Sequence, residues 1–195
     1  NVNLIGGMAF LVFSAVFPQK YFLGRLSFRA QTYIDFFVII GCFFCHCVSA
    51  YRWIDNYDKL QHFLAGLVCV FLGAELLKSM FPKEKIDKKV ALVSGVGFSF
   101  AAIVIWEIFE FMADFFIAGS TNQGYSDSPD FDMLFFKIFG QGAGNVGQYP
   151  LFDTLFDMIA AVVGIVAAII GFLVVSKILD KKKKHETTEK ETAHV

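Results

Sequence analysis

Long apolar stretches alternate with short polar connections along this chain. Five of them stand out, at roughly 2–17, 32–50, 60–81, 90–118 and 151–179. Apolar runs of about 18 or more residues are typical of membrane spans, although the first stretch is shorter than that. Backbone groups in lipid must be hydrogen-bonded within their own segment, so each stretch is predicted to be helical. The pattern predicts an all-α fold, a polytopic transmembrane helical bundle of about five spans.

The connections differ in charge. Lysine and arginine concentrate in the connections 18–31 and 82–90 and in the tail from Lys177. These three regions fall on the same side of a five-span bundle, and the opposite connections hold only Arg52, Lys59 and Lys137. Cytoplasmic loops carry the excess of basic residues. We therefore expect the N-terminus outside and the C-terminus inside.

Composition leaves no room for a separate soluble domain. Of the 195 residues, 56% are hydrophobic and only 18% are charged. We predict one transmembrane bundle over 1–180, with an extracytoplasmic loop at 119–150 and a disordered cytoplasmic tail at 181–195. Because the sequence starts at Asn1 rather than at methionine, we also expect residues upstream of it.

Three carboxylates interrupt the fourth apolar stretch, in the segment WEIFEFMAD at 106–114. At about 100° per residue, Glu107, Glu110 and Asp114 lie within about 60° of one another on one helix face. Unpaired carboxylates inside a membrane are costly and usually face the bundle interior, where they pair, take up protons or bind cations.

Two other spans carry polar pairs at helical spacing. Asp58 and His62 share a face at the start of the third span, and Asp153 and Asp157 share one at the start of the fifth. Glu107 lies about 25 Å along the fourth span, toward the outer leaflet. Since the third and fifth spans begin on that side, topology is expected to bring the three groups to one level.

Carboxylate oxygens with one imidazole suit a divalent metal such as Mg²⁺, Mn²⁺, Zn²⁺ or Fe. The predicted metal ligands are His62, Glu107, Glu110, Asp114, Asp153 and Asp157. The predicted catalytic residues are Glu107, as a general base, and Asp58, which would hold the second nitrogen of His62. The alternative is that the acids are protonated, or hydrogen-bonded to Trp53, Trp106, Tyr51 and serine side chains, and only fix helix packing.

The combined motif resembles a known family. Asp58-Lys59-x-x-His62-Phe, Trp106-Glu107-x-x-Glu110-x-x-x-Asp114 and Asp153-Thr154-x-x-Asp157 are similar to YjdF-like bacterial membrane proteins. The first segment also resembles VanZ-like proteins, associated with glycopeptide resistance. The resemblance covers about residues 50–170 and implies a multi-pass protein of the bacterial inner membrane, without implying a reaction.

Two other motifs lack the context that they require. Cys42-x-x-Cys45-His46 matches the haem c attachment signature but lies within a predicted span, so no haem is expected. GAGNVG at 142–147 matches a dinucleotide-binding pattern without the strand and helix that this motif needs, so no nucleotide is expected. No basic, aromatic-rich patch indicates nucleic acid.

Three functions fit these patterns. The first is a metal-dependent enzyme near the outer leaflet, acting on a lipid or lipid-linked envelope substrate. The second is a cation or proton transporter, although the fourth span offers only Ser94 and Ser99 on the way to the inner side. The third is a non-catalytic assembly or structural subunit. Membrane lipids are the expected partners, and small residues in the last two spans would also support a homo-oligomer.

Overall fold

The computed structural model describes residues 26–44, 50, 53–54, 56–116 and 149–192. In chain order, the described α-helices are α1 (Phe28–Val38), α2 (Tyr57–Met80), α3 (Lys88–Phe116) and α4 (Tyr149–Thr192). Helix α1 continues into a π-helical segment, Ile39–Phe44. The described part of the chain contains no strand, so the all-helical prediction is confirmed.

The ends of the helices follow from local sequence. Helix α2 ends before Phe81, whose backbone is not helical (φ −123°, ψ 62°), because Pro82 disfavours helical geometry in the residue before it. Helix α3 begins after Asp87, whose Oδ1 accepts hydrogen bonds from the backbone N–H groups of Lys89 at 2.8 Å and Val90 at 3.4 Å. The short 81–87 connection makes α3 antiparallel to α2.

Helix α2 packs extensively against both α3 and α4, and α1 packs against α2. Glycines allow the close contacts. A Cβ atom at Gly66 would overlap the Ala161 carbonyl of α4, and one at Gly95 would overlap the Val70 carbonyl of α2. The apolar core includes residues at these crossings and consists of Val70, Ile103, Ala161, Ile165 and Ala168. The small residues thus fix α2 as the central helix.

Among the described residues, three stretches are long and apolar enough to cross a membrane: Tyr57–Met80, Lys88–Phe116 and Asp153–Lys182. Most of their large apolar side chains point away from the bundle and are exposed, Ile105 and Phe115 among them. Such a surface is suited to lipid rather than to water. These stretches correspond to the predicted spans 60–81, 90–118 and 151–179.

The rest of the predicted topology is less fully described. The predicted span 2–17 and loop residues 119–148 lie outside the described residues, and span 32–50 is described only in part. The tail differs from expectation, since α4 continues from the last span to Thr192 rather than ending before 181. No glycine or proline occurs between 172 and 192 to stop the helix.

Candidate functional site

Polar side chains meet at the end of the bundle where α2 and α4 begin and α3 approaches its end. The first two turns of α2, the last turns of α3 and the first turns of α4 all contribute. The cluster consists of Asp58, Lys59 and His62 from α2, Glu107 and Glu110 from α3, and Asp153 and Asp157 from α4. The predicted carboxylate–histidine cluster therefore exists in the structure.

Lys59 lies at the centre of one half of the cluster. Its Nζ is 3.0 Å from Asp58 Oδ2, 2.6 Å from Asp153 Oδ1 and 2.8 Å from Asp157 Oδ1. The side chains of Lys59, Asp153 and Asp157 are only 11%, 4% and 1% exposed, whereas that of Asp58 is 31% exposed. One ammonium therefore serves three carboxylates, and Asp58 is the member most open to the surroundings.

His62 connects this half of the cluster to the other. Its Nε2 lies 3.7 Å from both Asp58 Oδ1 and Asp157 Oδ1, and its Nδ1 lies 3.6 Å from Glu107 Oε1. These distances are longer than a direct hydrogen bond. The buried imidazole is thus flanked by carboxylates on both ring nitrogens without being bonded to any of them.

Glu107 and Glu110 form the second half with His62. Glu110 Oε1 accepts a hydrogen bond of 2.7 Å from the indole Nε1–H of Trp106. The Thr154 side chain interacts with Glu107. Both oxygens of this buried carboxylate nevertheless lack a hydrogen bond of good geometry. Both oxygens of Asp157 also lack one, although Asp157 Oδ1 is ion-paired with Lys59.

Buried carboxylate oxygens without hydrogen bonds are costly, about 1–3 kcal/mol for each group and more when charged. A bound cation would remove that cost. Two trios present ligand atoms that all lie within 4.8 Å of one another. They are Asp58, His62 and Asp157, and His62, Glu107 and Glu110.

The remaining predicted ligands, Asp153 and Asp114, belong to neither trio. Asp153 contacts Lys59 instead. Asp114 shares a helix face with Glu107, but seven residues separate the two along α3, which is about 10.5 Å of axial rise. The predicted catalytic residues Asp58 and Glu107 approach His62 on opposite ring nitrogens.

The sequence interpretation underestimated Lys59, which it placed in a connection before the third span. Helix α2 begins at Tyr57, so Lys59 falls within its first turn and its side chain turns inward. The signal was present, because Lys59 and His62 are three residues apart and share a helix face. Trp106, placed one turn before Glu110, was foreseen only as a general hydrogen-bonding group.

Comparison with known proteins identifies the family. A family model described as "Predicted membrane protein (DUF2238)" matches residues 2–177. The match covers nearly the whole chain, so the chain belongs to this family of membrane proteins. The match is consistent with the YjdF-like resemblance. The VanZ-like similarity stays a prediction. Neither the curated proteins nor the solved structures contain a match to the chain.

Proposed function

We propose that this protein is a metal-dependent membrane enzyme that acts on a lipid or lipid-linked substrate. The observation that carries the proposal is the buried trio of His62, Glu107 and Glu110, whose ligand atoms lie within 4.8 Å of one another. Both Glu107 oxygens there lack a hydrogen bond. An imidazole with two carboxylates is a donor set that divalent Mn, Zn or Fe accepts.

The two ring nitrogens of His62 have different roles in this proposal. Nδ1 faces Glu107 and would hold the ion, while Nε2 faces Asp58 and Asp157 and would carry the proton. A carboxylate behind a metal-bound histidine fixes the tautomer and the orientation of the ring. Asp58 is therefore a positioning residue, as the sequence interpretation proposed.

Glu107 is suited to two tasks. One of its oxygens can bind the ion and the other can accept a proton, because neither is committed to a hydrogen bond. A divalent ion makes a bound water more acidic and can polarise a phosphoryl or acyl oxygen. A water bound beside Glu107 would lose its proton to that carboxylate and become the nucleophile.

The position of the cluster supports a substrate that is delivered from the membrane. The site lies at one end of the bundle, and the connection 81–87 at the other end is rich in lysine. By the positive-inside rule the cluster would face the outer leaflet of the bacterial inner membrane. The partly exposed Asp58 marks the side from which a lipid headgroup would enter.

The described helices give less support to transport. Beyond the cluster, α2 meets α4 at Gly66 and Gly164, where a Cβ atom would overlap backbone carbonyls of the facing helix. The Ser99 hydroxyl donates to the Gly66 carbonyl at 2.9 Å, and the apolar core follows. This part of the interface offers no chain of titratable groups leading away from the site.

Metal content tests the first half of the proposal. We expect full-length wild-type protein, purified in detergent and dialysed against Mn²⁺, to retain about one ion per chain by mass spectrometry of the metal. Glu107→Gln and Glu110→Gln should each weaken binding at least about tenfold. Glu75→Gln is the control, because Glu75 pairs with Lys78 far from the cluster. Wild-type protein that retains no metal would contradict the proposal.

Product analysis tests the second half. Wild-type protein in vesicles of phosphatidylethanolamine and phosphatidylglycerol, supplied with Mn²⁺ in ¹⁸O-labelled water, should form ¹⁸O-labelled lipid products. Glu107→Gln should form none, and Glu75→Gln should match wild type. Metal binding without any product from these lipids would instead require a lipid-linked substrate from bacterial membrane extract. Failure with that extract as well would refute the enzymatic role.

A further inference from the structure

The three carboxylates around Lys59 form a pocket with cation geometry. An ammonium has three N–H donors, and Lys59 Nζ has three oxygen neighbours at 2.6, 2.8 and 3.0 Å. Asp58, on the same helix, and Asp153 and Asp157, on α4, supply these oxygens. Asp58 and Asp153 accept hydrogen bonds from Nζ, and Asp157 is paired with it by charge.

We propose that the pocket of Asp58, Asp153 and Asp157 is a second cation site, and that the Lys59 ammonium is its resident cation. In this arrangement Lys59 keeps metal ions out of the pocket. The inference goes beyond the proposed function, because it does not require the trio of His62, Glu107 and Glu110 to be filled.

The charges and ligands of the pocket fit a divalent ion. Three carboxylates face one ammonium, so a net negative charge remains that a divalent ion would neutralise further. Asp157 is fully buried, and both of its oxygens lack a hydrogen bond. His62 Nε2 lies 3.7 Å from both Asp58 Oδ1 and Asp157 Oδ1, so the imidazole borders the pocket. Oxygen ligands lie about 2.3–2.6 Å from Ca²⁺ and about 2.0–2.1 Å from Mg²⁺, so the carboxylates would need to close by up to about 0.7 Å around Ca²⁺ and up to about 1 Å around Mg²⁺.

The inference differs from a purely structural salt bridge in what it predicts after the lysine is removed. A structural bridge would leave three unpaired buried acids, which destabilise the protein whatever ion is present. A cation site would instead accept a metal ion in place of the ammonium. The folding and metal content of a variant that lacks Lys59, measured with metal present, therefore distinguish a structural salt bridge from a cation site.

Lys59→Met provides the test, because it keeps the length of the side chain and removes its charge. The full-length variant is purified in detergent with Mn²⁺ present throughout and dialysed to measure bound metal. We expect about one more Mn²⁺ per chain than in wild type. Lys78→Met is the matched control on the same helix, since Lys78 pairs with Glu75 outside the cluster, and it should leave the metal content unchanged. Lys59→Arg keeps a tethered cation and should also match wild type.

The outcomes separate this inference from the proposed function. Wild type without metal, together with one ion in Lys59→Met, would support the second cation site and refute the proposed metal enzyme. One ion per chain in both wild type and Lys59→Met would overturn the second site and leave the proposed function standing, whereas no metal in either protein would overturn both. Failure of Lys59→Met to fold in Mn²⁺, while Lys59→Arg folds, would also overturn it, because the metal should replace the ammonium.

Discussion

The oxygens of Glu107 and Asp157 are the least satisfied polar atoms among the described residues. Both carboxylates are buried and lack a hydrogen bond of good geometry, although Asp157 Oδ1 is ion-paired with Lys59. Leaving such groups without partners costs free energy, which a bound cation or a proton would recover. In the proposed function these oxygens take up a cation, so substitutions at single residues should affect binding more than folding.

Asp58 offers the sharpest test of an indirect role. Its Oδ1 is 3.7 Å from His62 Nε2, on the side away from Glu107. If Asp58 orients the imidazole, Asp58→Asn should weaken Mn²⁺ binding about 10–100-fold without abolishing it. Isothermal titration calorimetry on detergent-purified protein measures this, with Asp35→Asn in α1 as the control. Equal affinities for Asp58→Asn and wild type would remove Asp58 from the site.

Single-residue patterns predicted much of the cluster. Helical spacing placed Glu107 and Glu110 on one face, and the structure brings them together with His62. The same reasoning included Asp114, which belongs to neither trio, so its role as a ligand stays a prediction. It also underestimated Lys59, since a lysine at a span boundary ordinarily extends toward the interface. Because α2 begins at Tyr57, Lys59 lies within its first turn, and its side chain turns inward to Asp153 and Asp157.

At the scale of the helices, the site depends on how closely α2 approaches its neighbours. A Cβ atom at Gly66 would overlap the backbone of Ala161, which cannot move as a side chain can. Asp153 and Asp157 precede Ala161 on α4 and face Lys59 of α2. The glycine contact therefore sets the distance between Lys59 on α2 and the carboxylates of Asp153 and Asp157 on α4.

Gly66→Ala should separate α2 from α4. We expect a loss of about 1–3 kcal/mol in stability, because the added methyl overpacks a helix contact. Gly97→Ala is the control: a Cβ at Gly97 meets nothing within 4 Å, and alanine favours helices by up to about 1 kcal/mol over glycine. Unfolding in sodium dodecyl sulfate, followed by circular dichroism, compares the variants. If both variants unfold alike, the close contact has no energetic importance.

The starts of the long helices could be predicted from the sequence, whereas the π-helical segment could not. Apolar length placed the three long helices within a few residues of their observed starts, Tyr57, Lys88 and Tyr149. The π-helical segment Ile39–Phe44 gave no such signal, because it depends on tertiary contacts. The Ile40 carbonyl there accepts hydrogen bonds from Tyr57 Oη at 2.8 Å and Gln61 Nε2 at 3.4 Å. Hydropathy does not register bonds of this kind.

For the whole molecule, function depends on which side of the membrane the cluster faces. The connection 81–87 carries lysines, whereas the segment before α2 leads into the cluster. Charge bias in loops, rather than packing, determines orientation. The orientation in the membrane is therefore predicted from the charges of the loops, because the contacts between the helices do not specify it.

Cysteine labelling tests the orientation. Trp53→Cys and Glu84→Cys, each made in a variant without native cysteines, place thiols before α2 and in the α2–α3 connection. Trp53 is 80% exposed and Glu84 is also exposed. In intact spheroplasts a membrane-impermeant maleimide should label Trp53→Cys, and should label Glu84→Cys only after lysis. The reverse pattern would place the cluster at the cytoplasmic face.

The most direct test of the central claim is electron spin-echo spectroscopy of Mn²⁺ bound to full-length protein containing ¹⁵N-labelled histidine. We predict a ¹⁵N coupling from one directly bound imidazole, because His62 is the one nitrogen ligand in the trio with Glu107 and Glu110. The coupling should disappear in His62→Gln and persist in His185→Gln, a control in the C-terminal part of α4. Bound Mn²⁺ without histidine coupling, or coupling that survives His62→Gln, would contradict the metal site proposed here.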